Sequence, residues 1–221
     1  MTVPVIAIDG PSGVGKGTVA RALAKKLGWH FLDSGALYRI LALSAQKAGV
    51  ALTNAKAVAA VAAGLEIRFD DAGRIFLGAV DYSQEVRAET TGALASDIAA
   101  FPEVRAALIS RQQAFRQPPG LVADGRDMGT VVFTDAPLKV FLDASAEERA
   151  RRRLIQLAEA GLEATIAPLL AEIRARDERD RTRSTAPLKP AEDAVVIDTT
   201  AISAEGVLKK VFDLAVSRGL C

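Results

Sequence analysis

A single cysteine, Cys221, and a single histidine, His30, remove whole classes of chemistry from this chain at once. One thiol, at the last position, supports no internal disulfide framework. One imidazole leaves a histidine zinc cage or a Ser-His-Asp triad without its usual raw material. No run of eighteen consecutive apolar residues occurs, and the first residues, MTVPVIAIDG, lack the basic segment and apolar stretch of a secretory leader, so a soluble cytoplasmic protein without a membrane partner is expected. Charge of one sign is also missing: 28 Lys and Arg face 27 Asp and Glu, a net charge of +1. Such a balance gives no overall field for nucleic acid, and any anion site must be built locally. What remains is an ordinary globular composition, 50% hydrophobic and 25% charged, in 221 residues, enough for one substantial core.

Short apolar runs alternate with helical periods. Val5 to Asp9 reads as a strand buried on both faces, and Thr18 to Leu27 as a helix stopped by Gly28. His30 to Gly35 reads as a second strand ending in a polar turn, followed by a helix from Ala36 to Ala48. Trp29 and His30 are assigned to local packing. Phe101 to Phe115 is helical, Leu121 to Gly125, Leu138 to Ala144 and Val195 to Thr199 are further strands, and helices span Ser145 to Ala160, Leu162 to about Asp180, and Ser203 to Arg218. Alternating strands and helices predict an α/β fold with a doubly wound parallel sheet of five core strands, whose ligands gather beyond the carboxyl ends. The period changes between Gly64 and Glu85: LEIRF alternates, DDAG (Asp70 to Gly73) signals a turn, and RIFLG returns. Residues 53–96 are therefore expected to form a small inserted antiparallel subdomain, with 1–52 and 97–221 as the core.

The densest signal is IDGPSGVGKGT, Ile8 to Thr18. Gly10, Gly13, Gly15 and Gly17 allow positive φ and close backbone approach, so that successive N–H groups can converge on phosphate oxygens at a helix N-terminus. Lys16 would reach the outer phosphates and Thr18 would help hold magnesium. A glycine, four residues and Gly-Lys is the P-loop spacing, although Gly17 stands where Ser or Thr is usual and the hydroxyl comes one position later. A tight turn after a buried strand would need neither the lysine nor four glycines. The spacing is also wrong for the GxGxxG dinucleotide fingerprint.

Charged clusters elsewhere bear on the acceptor. Arg39 follows the turn of Asp33, Ser34 and Gly35, Asp124-Gly125-Arg126-Asp127 ends a predicted strand, and Arg174 to Arg183 holds five arginines and three acids in ten residues. Guanidinium forks hold phosphate bidentately, and carboxylates accept from ribose hydroxyls. Taken alone, the last run equally suits a solvated helix face, but Arg176, Asp180 and Arg183 fall close together at steps of four and three. Arg149, Arg151, Arg152 and Arg153 suit either an adenine-side surface or a solvated helix. The guanine-selective Asn-Lys-x-Asp tetrapeptide is absent, as is a second nucleotide-binding unit, which argues against a GTPase or a mechanical ATPase.

In order along the chain, IDGPSGVGKGT, LDSGALYR, FPEVRAAL, LVADGRDMGTVVFTDAPLKVFLDAS, EIRARDERDRTR and APLKPAEDAVVIDTT resemble the bacterial cytidylate kinases, P-loop nucleoside monophosphate kinases. The resemblance implies ATP-dependent phosphorylation of CMP or dCMP with Mg²⁺, by a monomer. It gives the ATP phosphates to Gly10, Pro11, Ser12, Gly13, Val14, Gly15, Lys16, Gly17 and Thr18. It sets Arg39, Arg126 and Arg183 around the acceptor phosphate, with Ser34 beside them. Ser96, Arg105 and Asp127 would read the cytosine edge, and Arg176 and Asp180 would meet the ribose. Lys16, Arg126, Arg176 and Arg183 become the catalytic cations, and Asp33 would accept from metal-bound water. The segment 53–96 becomes the monophosphate-binding insert, and about 154–184 a short arginine-rich lid. Two other readings stay open: another small-molecule kinase taking UMP, AMP or shikimate, and a non-catalytic nucleotide switch.

Overall fold

The computed structural model describes residues 2–70, 73–159 and 161–221. At its centre lies β1 (Val5–Asp9), flanked by β6 (Leu121–Gly125) and β7 (Leu138–Asp143), with β2 (His30–Asp33) and β8 (Val195–Asp198) at the edges. All four pairings in this five-stranded sheet are parallel. A parallel sheet is covered on both faces, which is why β1 and β6 are buried at every residue and apolar up to the aspartates near their carboxyl ends. Ile6, Ile8, Val140 and Leu142 pack on one side with α1 (Lys16–Leu27) and α9 (Ala204–Ser217), while Val5, Ala7, Leu32 and Ala123 pack on the other with Leu37, from α2 (Ser34–Lys47), and Phe133. Truncating Ile6, Ile8, Leu32 or Leu142, each fully buried, to alanine costs about 2–5 kcal/mol.

In the strand order β2-β6-β1-β7-β8 the chain leaves β1 for the edge strand β2, returns inward to β6, and then reverses past β1 to β7 and β8. Ligands of such sheets sit outside the carboxyl ends near this reversal. Register carries polar residues to that edge: Asp9 lies opposite Gly125, and Asp33 opposite Asp124.

The hairpin read from LEIRF and RIFLG is present as β3 (Ile67–Phe69) and β4 (Ile75–Leu77), antiparallel with Arg68 opposite Phe76. A third, two-residue strand, β5 (Val80–Asp81), completes the small sheet. The central residues of the expected turn from Asp70 to Gly73 lie outside the described residues, as does Ala160, the expected end of a later helix. Around the sheet stand α3 (Ala55–Ala62), α4 (Ser83–Arg87), α5 (Glu89–Ile98) and α6 (Pro102–Ala114). Residues of α3, α5 and α6 share one hydrophobic cluster with α2, including Ile40, Val58, Ile98 and Leu108, and position 96 falls inside α5.

The polar turn expected after β2 is instead the start of a helix. Asp33 is the N-cap of α2, and its Oδ1 accepts from the Ala36 amide at 2.9 Å. After β6 the chain makes a single π-helical turn, Met128–Val132. The helices α7 (Ala146–Glu159) and α8 (Ile166–Thr182) complete the described elements. Among the described residues no helix is long and apolar enough to cross a membrane. Trp29 packs against the core, and His30 Nε2 lies 2.9 Å from the Pro118 carbonyl, the local roles expected of them.

Candidate active site

The glycine loop turns sharply out of β1 because its residues leave no alternative. Gly10 has φ 150°, and a Cβ there would collide with the Leu142 carbonyl. Gly13 and Gly15 also have positive φ, but Gly17 is helical and does not use that freedom. Its reason is proximity: a Cβ on Gly17 would stand 3.2 Å from Asp124 Oδ2. A side chain at position 17 would therefore crowd the Asp124 carboxylate beside the first helical turn.

Residues 12–18 line a cleft of about 940 Å³ together with Asp33, Arg39, Asp124, Arg126 and Arg176. Gly10 and Pro11 are buried behind the loop. Lys16, 5% exposed, donates from Nζ to the Pro11 carbonyl at 2.8 Å and stands 4.0 Å from Asp124 Oδ1. Burial pushes its ammonium well down, Arg126 adds to the shift, and Asp124 and Asp9 oppose it. Burial pushes the Asp124 carboxyl up, against the pull of Lys16. Polyphosphate in the loop would favour the charged form of Lys16, so ligand and lysine stabilise one another.

Two carboxylates to which the sequence motifs assign no role stand at strand ends in this site. Asp124 is one. Asp9, the last residue of β1, is the other: its two oxygens accept from the Met128 and Gly129 amides, each at 2.8 Å, and anchor the π-helical turn that follows Asp127. Burial raises its carboxyl to about 6, against those two amide hydrogen bonds. The signal for both was a polar residue ending a strand buried on both faces.

Behind the cleft lies a second group. Arg105, on α6, and Asp127 form a buried ion pair, and the Arg105 guanidinium stands 5.9 Å from the Tyr38 ring centre. Burial raises the Asp127 carboxyl, opposed by Arg105, Arg183 and Arg126. Arg126 Nε donates to Asp180 Oδ2 at 3.1 Å. Burial works to raise the Asp180 carboxyl, but Arg126, Arg176 and Arg183 outweigh it and leave it lowered. Arg183 was expected on the same helical face as Arg176 and Asp180; instead α8 ends at Thr182 and Arg183 caps it in extended backbone. Its Nε donates to the Ala186 carbonyl at 2.6 Å, and its guanidinium still feels Arg105, Asp127 and Asp180.

Two expected acceptor contacts, Ser34 and Arg39, are engaged within the protein. Ser34 Oγ donates to Gln112 Oε1 at 2.7 Å, so donation to a phosphate requires that bond to break. Arg39 Nη1 donates to the Val86 and Ala88 carbonyls at 2.7 and 3.1 Å, joining α2 to the insert at the cleft wall. Of the four arginines of α7, Arg149 is buried and bonded to the loop, Arg151 pairs with Glu148 at the surface, Arg152 donates to the Thr199 carbonyl at 2.5 Å, and Arg153 lines the cleft. Thr199 in turn donates to the Val14 carbonyl at 3.3 Å. By contrast, the buried Oγ of Ser96 has no hydrogen-bond partner among the described residues, which suits a ligand contact.

The chain's relatives bear on which nucleotide fills this arrangement. Residues 6–217 match the family model described as cytidylate kinase. A cytidylate kinase of Stutzerimonas stutzeri (strain A1501) is 59% identical over 99% of this chain and 97% of its own. One of Serratia proteamaculans (strain 568) is 55% identical over 97% and 95%. Among solved structures, a shikimate kinase from Acinetobacter baumannii matches 100% of this chain and 97% of its own at 19% identity, with a TM-score of 0.46.

Proposed function

The chain belongs to the cytidylate kinase family, and from that premise we propose how its residues divide the transfer of the ATP γ-phosphoryl group to CMP or dCMP. The enzyme is an ATP-dependent phosphotransferase that yields ADP and CDP or dCDP. The observation that carries the residue assignment is the pairing of a phosphate cradle, with Lys16 at its floor, and a buried Arg105–Asp127 pair, with Arg126 near enough to act on the charge of both Lys16 and Asp127.

The donor phosphates take the amides of the glycine loop and Lys16. Ser96, Arg105 and Asp127 read the base. Cytosine presents an N4 donor beside N3 and O2 acceptors, which a carboxylate and a guanidinium complement. Arg176 and Asp180 meet the ribose, and Arg39, Arg126 and Arg183 hold the acceptor phosphate. Calorimetric titration checks the base assignment: CMP binds at least about tenfold more tightly than UMP. Equal affinities contradict it.

An acceptor oxygen attacks the γ-phosphorus in line as the bond to the β–γ bridging oxygen breaks, and charge spreads over the transferring group. No general base is needed, because a phosphate monoester is largely dianionic near pH 7. Lys16, Arg176 and Arg183 lower the barrier by donating to oxygens where charge grows. Hard oxygen donors for magnesium stand together at the cleft: Thr18, Asp33 and Asp124 all line it, and Asp33 and Asp124 are paired in register. When bound, the ion neutralises charge on the donor phosphates. Exclusion of water completes the design, since an open cradle would transfer to solvent.

Arg183→Ala lowers kcat for CMP about 30-fold and leaves the KM for ATP within about threefold, because its guanidinium lies on the acceptor side. Steady-state constants for both substrates check this. Wild-type values for kcat and for acceptor KM would remove Arg183 from the phosphate clamp.

A further inference from the structure

Arg149 lines the cleft from inside the fold and is no part of a solvated helix face. It is 2% exposed, at the start of α7, and its guanidinium bonds to three separate segments. Nε donates to the Ala144 carbonyl at the end of β7, 3.1 Å away. Nη1 donates to the Ser12 carbonyl of the phosphate loop at 3.1 Å and to Asp177 Oδ1 at 2.9 Å, and Nη2 closes a bidentate pair with Asp177 Oδ2. Its stem lies against the loop as well, for a Cβ built on Gly13 would come within 3.3 Å of the Arg149 Cβ.

We infer that Arg149 is a positioning residue that couples the donor loop to the lid helix α8. The inference deepens the kinase reading above and rests on it. Asp177 sits beside Arg176 and one turn before Asp180, so a fork that fixes Asp177 fixes the roll of α8 about its axis. That roll decides whether Arg176 faces the cleft, where it contributes to the field at Lys16. The fork is planar and bidentate, and a lysine cannot reproduce it. When donor phosphates immobilise the Ser12 to Lys16 segment, the same guanidinium passes that order to α8. Arg149 thus acts through Arg176, because its Nε, Nη1 and Nη2 already donate to Ala144, Ser12 and Asp177.

The test combines kinetics with hydrogen exchange on the full chain. Arg149→Lys lowers kcat about tenfold, with the dissociation constant for a non-hydrolysable ATP analogue within about threefold of wild type. Asp177→Asn, which leaves the loop intact, does the same. In an Arg176→Ala background, adding Arg149→Lys changes kcat by less than about twofold, because the residue through which it acts is gone. Multiplicative losses, or a wild-type kcat in Arg149→Lys, overturn the inference. Exchange of the 166–182 amides supplies a readout independent of CMP turnover. With the magnesium complex of the analogue, protection of α8 rises at least about fivefold in wild type and less than twofold in Arg149→Lys at equal occupancy. Equal protection in both proteins overturns the coupling. Loss of coupling in the variant beside a wild type that cannot phosphorylate CMP would sink the kinase reading instead and leave the coupling standing.

Discussion

Lys16→Ala lowers kcat for CMP phosphorylation by about 10³-fold without lowering the melting temperature. The first half follows from position: Lys16 is the cation at the floor of the phosphate loop, where a donor to developing charge is worth about 10² to 10³ in rate and a full charge sits at the upper end. The second half follows from burial. Taking the ammonium out of water is unfavourable in the folded protein, and burial and Arg126 both push its pKa down. Removing the side chain therefore removes a desolvation cost along with the Pro11 hydrogen bond. An inactive enzyme that melts at or above the wild-type temperature separates catalysis from folding. Since only interactions gained in the transition state raise kcat, the affinity for ATP changes far less than the rate. A kcat within threefold of wild type would show that the lysine does not touch the transferring group.

Asp127→Asn shifts the preference from CMP toward UMP by about 10² to 10³ in the ratio of kcat/KM. A site built around hydrogen bonds rejects analogues strongly because its buried polar groups are left unpaired. Asp127 offers only acceptors, which suit the N4 amine of cytosine; an asparagine turned to present its amide N–H suits O4 of uracil and opposes N4. Alanine is the poorer probe. It would leave Arg105 buried without its partner, at a cost of about 3–5 kcal/mol. Asparagine keeps the volume and one acceptor for Arg105. Competition between CMP and UMP in one reaction reads the ratio directly, and an unchanged ratio would remove Asp127 from base reading.

The main sheet was legible in the sequence because parallel strands buried on both faces are unbroken apolar runs. Leu121–Gly125 has the expected limits, and β7 and β8 end one residue early. The insert was less legible. Its hairpin alternates and could be read, whereas α3, AKAVAAVA, is too uniform in alanine to show a face, and β5 is only two residues long. Capping chemistry explains another difference: Asp33 and Ser34 carry turn character in sequence, yet Asp33 uses its carboxylate to start α2. The same limit applied at Arg183, where helical spacing predicts a shared face that the helix ends too soon to supply.

In the site, residue types were readable and partnerships were not. IDGPSGVGKGT announces a phosphate cradle, but the carboxylate that a side chain at position 17 would crowd lies on β6, more than a hundred residues away in sequence. Asp9 and Arg149 illustrate the same point. A buried aspartate that holds the Met128 and Gly129 amides, and an arginine that bonds both the Ser12 carbonyl and Asp177 of α8, are visible only once long-range contacts bring those groups together.

The most direct measurement is ADP formation from Mg-ATP with CMP, dCMP, UMP, AMP and GMP supplied separately, each corrected for hydrolysis without acceptor. Rapid turnover confined mainly to CMP and dCMP is the predicted result. Turnover equal across the five acceptors, or none above hydrolysis in a folded protein that binds ATP, would contradict a cytidine-reading kinase.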